Sequence, residues 1–102
     1  MVFVESSVFQ RQRKKHLSDA QYRELQNQIL ERPSQGALIR GSGGLRKIRL
    51  ARPGTGKSGG FRIIYYHAVS DERIYLLDLY AKSDQASLSP EQLKRIKTRL
   101  TE

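Results

Sequence analysis

Three strand-like runs fill the second half of this chain: Leu45–Ala51, Phe61–Val69 and Arg73–Lys82. The last two are rich in Ile, Tyr, Leu and Val, and only Ser70-Asp71-Glu72 separates them. A three-residue link cannot hold a parallel crossover, which needs a dozen residues or more, so these runs form an antiparallel hairpin. Everything else must pack on that sheet. Val2-Phe3-Val4 reads as a short opening strand. Ser6 or Ser7 caps a helix running to about Lys15, with a thin apolar stripe at Val8 and Phe9. Ser18-Asp19-Ala20-Gln21 fits a capping box, followed by Tyr22, Leu25 and Ile29 at helical spacing and stopped by Pro33. Pro33–Gly44 reads as a loop and Pro53–Gly60 as a second glycine-rich connection. Ser89-Pro90-Glu91-Gln92 combines a cap, a proline at the first helical position and a closing Gln, ahead of Leu93, Ile96 and Leu100. The order β-α-α-β-β-β-α predicts an α+β fold: an antiparallel sheet of about four strands, an N-terminal helical hairpin and a C-terminal helix. Residues 1–102 fit one domain with one modest core.

Charge narrows the function. Lys and Arg total 19 against 10 Asp and Glu, a net charge of +9. Between Arg32 and Ser70 there is no acid, while Arg32, Arg40, Arg46, Lys47, Arg49, Arg52, Lys57 and Arg62 all fall there. Arg11, Arg13, Lys14 and Lys15 read as a solvated surface. The central cations alternate with Leu, Ile, Phe and Tyr, which places a basic stripe on a folded scaffold, a footprint of phosphate binding. Without cysteine there is no disulfide framework, and two histidines alone make no zinc site. No apolar run approaches the ~20 residues of a membrane span, and Glu5 interrupts the opening segment before it resembles a signal peptide. The expectation is a cytoplasmic protein with a polyanionic partner, no cofactor and no metal.

Strand parity sorts these cations. In the first central strand, Ile48 and Leu50 face one way, Lys47 and Arg49 the other. In the last strand, Tyr75, Leu77, Leu79 and Ala81 make one apolar face; Ile74, Leu76, Asp78, Tyr80 and Lys82 make the opposite one. With the helices covering one face, the uncovered face carries Lys47, Arg49, Tyr80 and Lys82. Arg62 shares a face with Ile64 and Tyr66, but parity does not fix which. A guanidinium inside an apolar run is costly unless paired, so Arg62 either pairs with Asp78 or is held for a ligand.

Ala51-Arg52-Pro53-Gly54-Thr55-Gly56-Lys57-Ser58 matches a relaxed phosphate-loop pattern. Such a loop must follow a parallel strand and open a helix. Here Gly59 and Gly60 lead into a strand, so the segment reads as a connection presenting Lys57 to a phosphate backbone.

Three segments together resemble a known family: Gly41-Ser42-Gly43-Gly44-Leu45-Arg46-Lys47-Ile48-Arg49, Gly54–Tyr66, and Tyr75-Leu76-Leu77-Asp78-Leu79-Tyr80-Ala81-Lys82. The chain is similar to the RelE/HigB superfamily of bacterial toxins, and within it to the HigB branch with its Gly-Gly-Leu-Arg-Lys signature. The resemblance spans nearly the whole chain. It implies the toxin of a type II toxin–antitoxin pair, a metal-free endoribonuclease that cuts messenger RNA in the ribosomal A site, against 16S rRNA. It implies a cognate antitoxin, HigA-like and DNA-binding, with operator DNA reached only through the antitoxin complex. The family's functional positions fall on Lys47, Arg49, Arg62 and Lys82, with Tyr80 beside the last; the charge layout adds Arg40, Arg46, Arg52 and Lys57 as expected further RNA contacts. The sequence departs from the RelE type at Arg49, often lysine there, at Ser83, often arginine, and at Ser87-Leu88-Ser89, where the RelE type has a tyrosine.

Metal-free cleavage needs a base for the ribose 2′-hydroxyl, charge stabilisation at the phosphate and an acid for the leaving oxygen. Arginine clamps phosphate but cannot be deprotonated, so among these cations only a lysine serves as base. Lys47, flanked in sequence or across the strands by Arg46, Arg49 and Arg62, is expected to take that role. Arg62 and Arg49 clamp the phosphate, and Lys82 or Tyr80 stands near the leaving group. Two other readings share the features: a ParE-like gyrase poison without RNase activity, and a non-catalytic RNA-binding module.

Overall fold

A computed structural model describes residues 1–50, 60–83, 85 and 87–102. The elements are β1 (Val2–Glu5), α1 (Ser7–His16), α2 (Asp19–Glu31), β2 (Ala37–Leu38), β3 (Arg46–Leu50), β4 (Phe61–Ala68), β5 (Arg73–Ala81) and α3 (Pro90–Thr98), with a 3-10 turn over Arg99–Thr101. The α+β class and the element order match the expectation. Ser6 is the cap of α1, its Oγ accepting from the Phe9 N–H, and Ser18 and Ser89 each close a capping box with Gln21 and Gln92. No helix among the described residues is long and apolar enough to cross a membrane.

The sheet differs from the expected one in two ways. It has five strands, ordered β1-β5-β4-β3-β2. The fifth is the two-residue β2, inside the segment read as a loop, and it pairs antiparallel with Lys47 and Arg46. The sheet is also mixed, because β1 pairs parallel with β5, Val2 opposite Arg73 through Glu5 opposite Leu76. The helical hairpin between β1 and the later strands supplies the long connection that a parallel pair requires.

A register shift lies at Ile64/Tyr65: Ile64 faces Asp78 but Tyr65 faces Leu76, so Leu77 is the extra residue of a bulge. This inverts the parity of the first half of β5. Ile74 and Leu76 therefore lie on the same side as Leu79 and Ala81, packed with Phe9, Leu25, Ile29, Ile48, Leu50, Ile63 and Tyr65 under α1 and α2. Leu77 lies on the other side with Leu45, Ile64 and Ile96, and Tyr75 packs against that cluster. The all-apolar face expected from simple alternation is split by the bulge.

The second cluster also corrects the expectation that one sheet face is bare. Ile64 and Leu77 are fully buried there because α3 lays Leu93 and Ile96 against them and the following 3-10 turn adds Leu100. Strands apolar on both faces need cover on both sides, and α3 provides the second layer. The edge of β5 beyond the end of β1 is closed by side chains. Ser6 Oγ and Arg99 Nη1 both donate to the Leu77 carbonyl, at 3.0 and 2.9 Å, and the Leu79 N–H donates to Gln12 Oε1 at 2.8 Å. An unpaired strand edge is thereby protected.

Candidate functional site

The site is assembled on β3, β4 and β5 beside α3. In the ladder, Arg49 stands opposite Arg62 and Arg62 opposite Tyr80, so the three form one cross-strand row. The next row is Lys47, Ile64 and Asp78. Ile64 belongs to the cluster under α3, which fixes the face of this pair of rows. Arg62 is two residues from Ile64 and takes that face too, settling what parity alone left open. Lys47, Arg49, Arg62 and Tyr80 are thus gathered on the α3 side of the sheet. Lys47 and Arg49 are exposed, Arg62 and Tyr80 half-buried.

Among the described residues Arg62 has no acid partner. Its Nη1 is buried, and no described residue offers it a hydrogen bond. The anticipated alternative, an Arg62–Asp78 ion pair, is not formed. Asp78 is instead bound by Arg99 Nη1 at 2.9 Å and by Gln12 Nε2 at 2.8 Å, both on Oδ1. An orphaned buried guanidinium nitrogen costs folding free energy, since such groups are ordinarily satisfied. It fits an anion acceptor such as a phosphate oxygen.

Tyr80 lines two small cavities. One, of about 120 Å³, is bounded by Ile39, Lys47, Tyr80, Ser87, Leu88 and Leu93. The other, of about 150 Å³, lies between β5, α1 and α3 and includes Gln12, Asp78, Gln85, Arg95 and Arg99. Burial pushes the Tyr80 phenol above its ordinary range; Asp78 pushes the same way and Arg62 opposes them. The phenol therefore holds its proton at neutral pH, the form a proton donor needs.

The remaining candidates separate. Lys82 is exposed one residue beyond β5, its N–H donating to the Gly60 carbonyl at 3.1 Å. Arg46 does not join the row. It alternates with Lys47 onto the helical-hairpin face, and its Nη1 donates to the Ser34 and Gly36 carbonyls at 2.9 and 2.8 Å. Arg46 therefore lies on the opposite face from Lys47, against the expectation that the two are gathered together. Arg40 is on the glycine loop, in a groove shared with Lys94 and Lys97. Arg52 and Lys57 lie outside the described residues, as does the whole segment matching the phosphate-loop pattern. The residues not anticipated are Gln12 and Arg99. Arg99 follows Ile96 by three positions, so it flanks the apolar stripe of α3, the one available signal that it turns inward.

The family model described as "RelE toxin of RelE / RelB toxin-antitoxin system" matches residues 1–101. Among solved structures the chain is similar to a free-state double mutant of E. coli toxin RelE, with a TM-score of 0.65 at 19% identity. That match covers 93% of this chain and 96% of that one. The fold agrees with that structure, and the family match spans essentially every element of the site. The chain belongs to the RelE toxin family of toxin–antitoxin systems, which implies a cognate antitoxin as its partner.

Proposed function

We propose that this toxin is a ribosome-dependent endoribonuclease that cuts messenger RNA in the A site without a metal and so arrests translation in the cytoplasm. The observation that carries the reading is Arg62, whose buried Nη1 has no partner among the described residues and which sits in a row with Arg49 and Tyr80. A phosphodiester seated there receives the guanidinium contacts that stabilise charge as a phosphorane-like transition state forms. Lys47 Nζ takes the proton of the ribose 2′-hydroxyl; the 2′-oxygen attacks the adjacent phosphorus and the bond to the 5′-oxygen breaks. Tyr80, kept protonated by burial, or Lys82 returns a proton to that leaving oxygen. The products are a 2′,3′-cyclic phosphate and a free 5′-hydroxyl. With few ordinary acid–base groups, much of the rate comes from alignment of the RNA, which suits a substrate held by the ribosome.

The Gly-Gly-Leu-Arg-Lys run at 43–47 supports placement in the HigB-like branch and a HigA-like, DNA-binding antitoxin, with operator DNA bound only through the complex. The test is a toeprint of a defined message, free and on translating ribosomes. Cleavage confined to the A site of ribosome-bound message is expected. Growth arrest on expression without any cleavage would overturn the nuclease and favour gyrase poisoning. Neither arrest nor cleavage would leave an RNA-binding module.

A further inference from the structure

Asp78 is the single acid on β3, β4 or β5, and it lies on the strand that carries Tyr80. In the ladder Arg62 faces Tyr80, so Asp78 is the diagonal neighbour of Arg62, at a spacing that long side chains bridge. Tyr80 faces Arg62 across the ladder and follows Asp78 by two residues on β5, so the three share one patch of the sheet. A guanidinium without an acid partner among the described residues, beside a buried carboxylate, would ordinarily close an ion pair with it. Here one oxygen of the carboxylate, Oδ1, is already taken by two other donors. Arg99 Nη1 and Gln12 Nε2 both donate to Oδ1, and Arg99 Nη1 is itself fixed by the Leu77 carbonyl of the bulge. Gln12 is fixed in turn by the Leu79 N–H.

We infer that Arg99, assisted by Gln12, is a positioning residue: it sequesters Asp78 so that Arg62 stays free to bind a phosphate. The inference builds on the proposed function but concerns phosphate binding at Arg62. The 3-10 turn after α3, remote in sequence from the cationic strands, thereby sets the electrostatics of the site. The bulge at Leu77 serves the same end, because it offers the carbonyl that holds Arg99 beside Asp78.

The test follows the Arg62 side-chain N–H signals by NMR in the free toxin during titration with inorganic phosphate, alongside cleavage on programmed ribosomes. Arg99→Gln is expected to weaken phosphate binding and slow cleavage about tenfold or more, as Asp78 turns to Arg62. Arg99→Gln with Asp78→Asn is expected to return both to within about threefold of wild type, which a purely structural role for Arg99 would not do. Arg99→Lys keeps a cation for Asp78 and is expected to stay close to wild type. Gln12→Met is a milder probe should Arg99→Gln fail to fold. It removes one donor from Asp78 and is expected to weaken binding about threefold, again relieved by Asp78→Asn. Unchanged phosphate binding in folded Arg99→Gln or Gln12→Met, or no relief from Asp78→Asn, overturns the inference. Phosphate binding that follows this pattern while wild type leaves messages intact overturns the nuclease reading alone.

Discussion

Arg62 stands directly opposite Arg49 in the antiparallel ladder, two cations in register on the sheet's α3 side. Like charges opposite one another destabilise a strand pair, and the buried Arg62 Nη1, without a partner among the described residues, adds to that cost. Such an arrangement persists where it serves a ligand.

The first expectation is a trade of function for stability at this position. Arg62→Met removes the orphaned donor and keeps the length of the side-chain stem. Unfolding in urea is expected to shift toward higher stability by about 1 kcal/mol, while toxicity on expression is lost. Destabilisation by Arg62→Met would show instead that Arg62 is a structural residue.

The second concerns the contacts that join β1 to both helices of the hairpin. Tyr22 Oη donates to Glu5 Oε2 at 2.7 Å, Arg13 Nε donates to Glu5 Oε1 at 2.9 Å, and the guanidinium carbon lies 4.4 Å from the centre of the Tyr22 ring. Burial first, then the Glu5 hydrogen bond and charge, raise the Tyr22 phenol well above its ordinary range. Burial also raises Tyr65 and Tyr80. For a raised group the folded state holds the proton longer than the unfolded one. The stabilisation is therefore complete below the unfolded tyrosine value of about 10 and falls as pH climbs beyond it. Denaturation in urea across that range is expected to show this decline, and Tyr22→Phe to shallow it. An unchanged slope in the Phe variant would contradict the assignment.

The third is steric. A Cβ on Gly36 would stand 2.7 Å from Cε1 and from the hydroxyl of Tyr65, a fully buried side chain. That hydroxyl accepts from the Gly36 N–H and donates to the Pro33 carbonyl, both at 2.9 Å. Gly36→Ala is expected to cost about 1–3 kcal/mol through displacement of the ring and loss of these bonds. Thermal melting checks it; an unshifted midpoint would mean the loop yields freely.

The fourth tests how β5 is edged. Ser6 Oγ accepts from the Phe9 N–H and donates to the Leu77 carbonyl, each at 3.0 Å, so one hydroxyl caps α1 and holds the bulge. Ser6→Ala is expected to cost about 1–2 kcal/mol, more than Ser18→Ala, whose cap is exposed. Equal losses in chemical denaturation would show that the bond to Leu77 contributes nothing.

Local chemistry made much of this fold legible. Ser18/Gln21 and Ser89/Gln92 announce their helix starts because capping is satisfied within four residues. The Lys47/Arg49 alternation on β3 was readable because nothing interrupts that strand. What stayed hidden depends on distant residues. Ala37-Leu38 carries no strand signal and becomes β2 only because β3 lends it an edge. The bulge at Leu77 has no glycine to mark it, so alternation misassigned the faces of Ile74 and Leu76. The partner of Asp78 could not be chosen from sequence, since Arg62 and Arg99 are both cations near apolar runs and only the packing of α3 selects Arg99.

The central claim is that Arg62, whose Nη1 has no partner among the described residues, holds the scissile phosphate. Single-turnover cleavage of an A-site codon on programmed ribosomes, with saturating toxin, compares wild type with folded Arg62→Ala most directly. A loss of about 100-fold or more is expected at unchanged secondary structure. Cleavage by folded Arg62→Ala within about threefold of the wild-type rate would contradict the account.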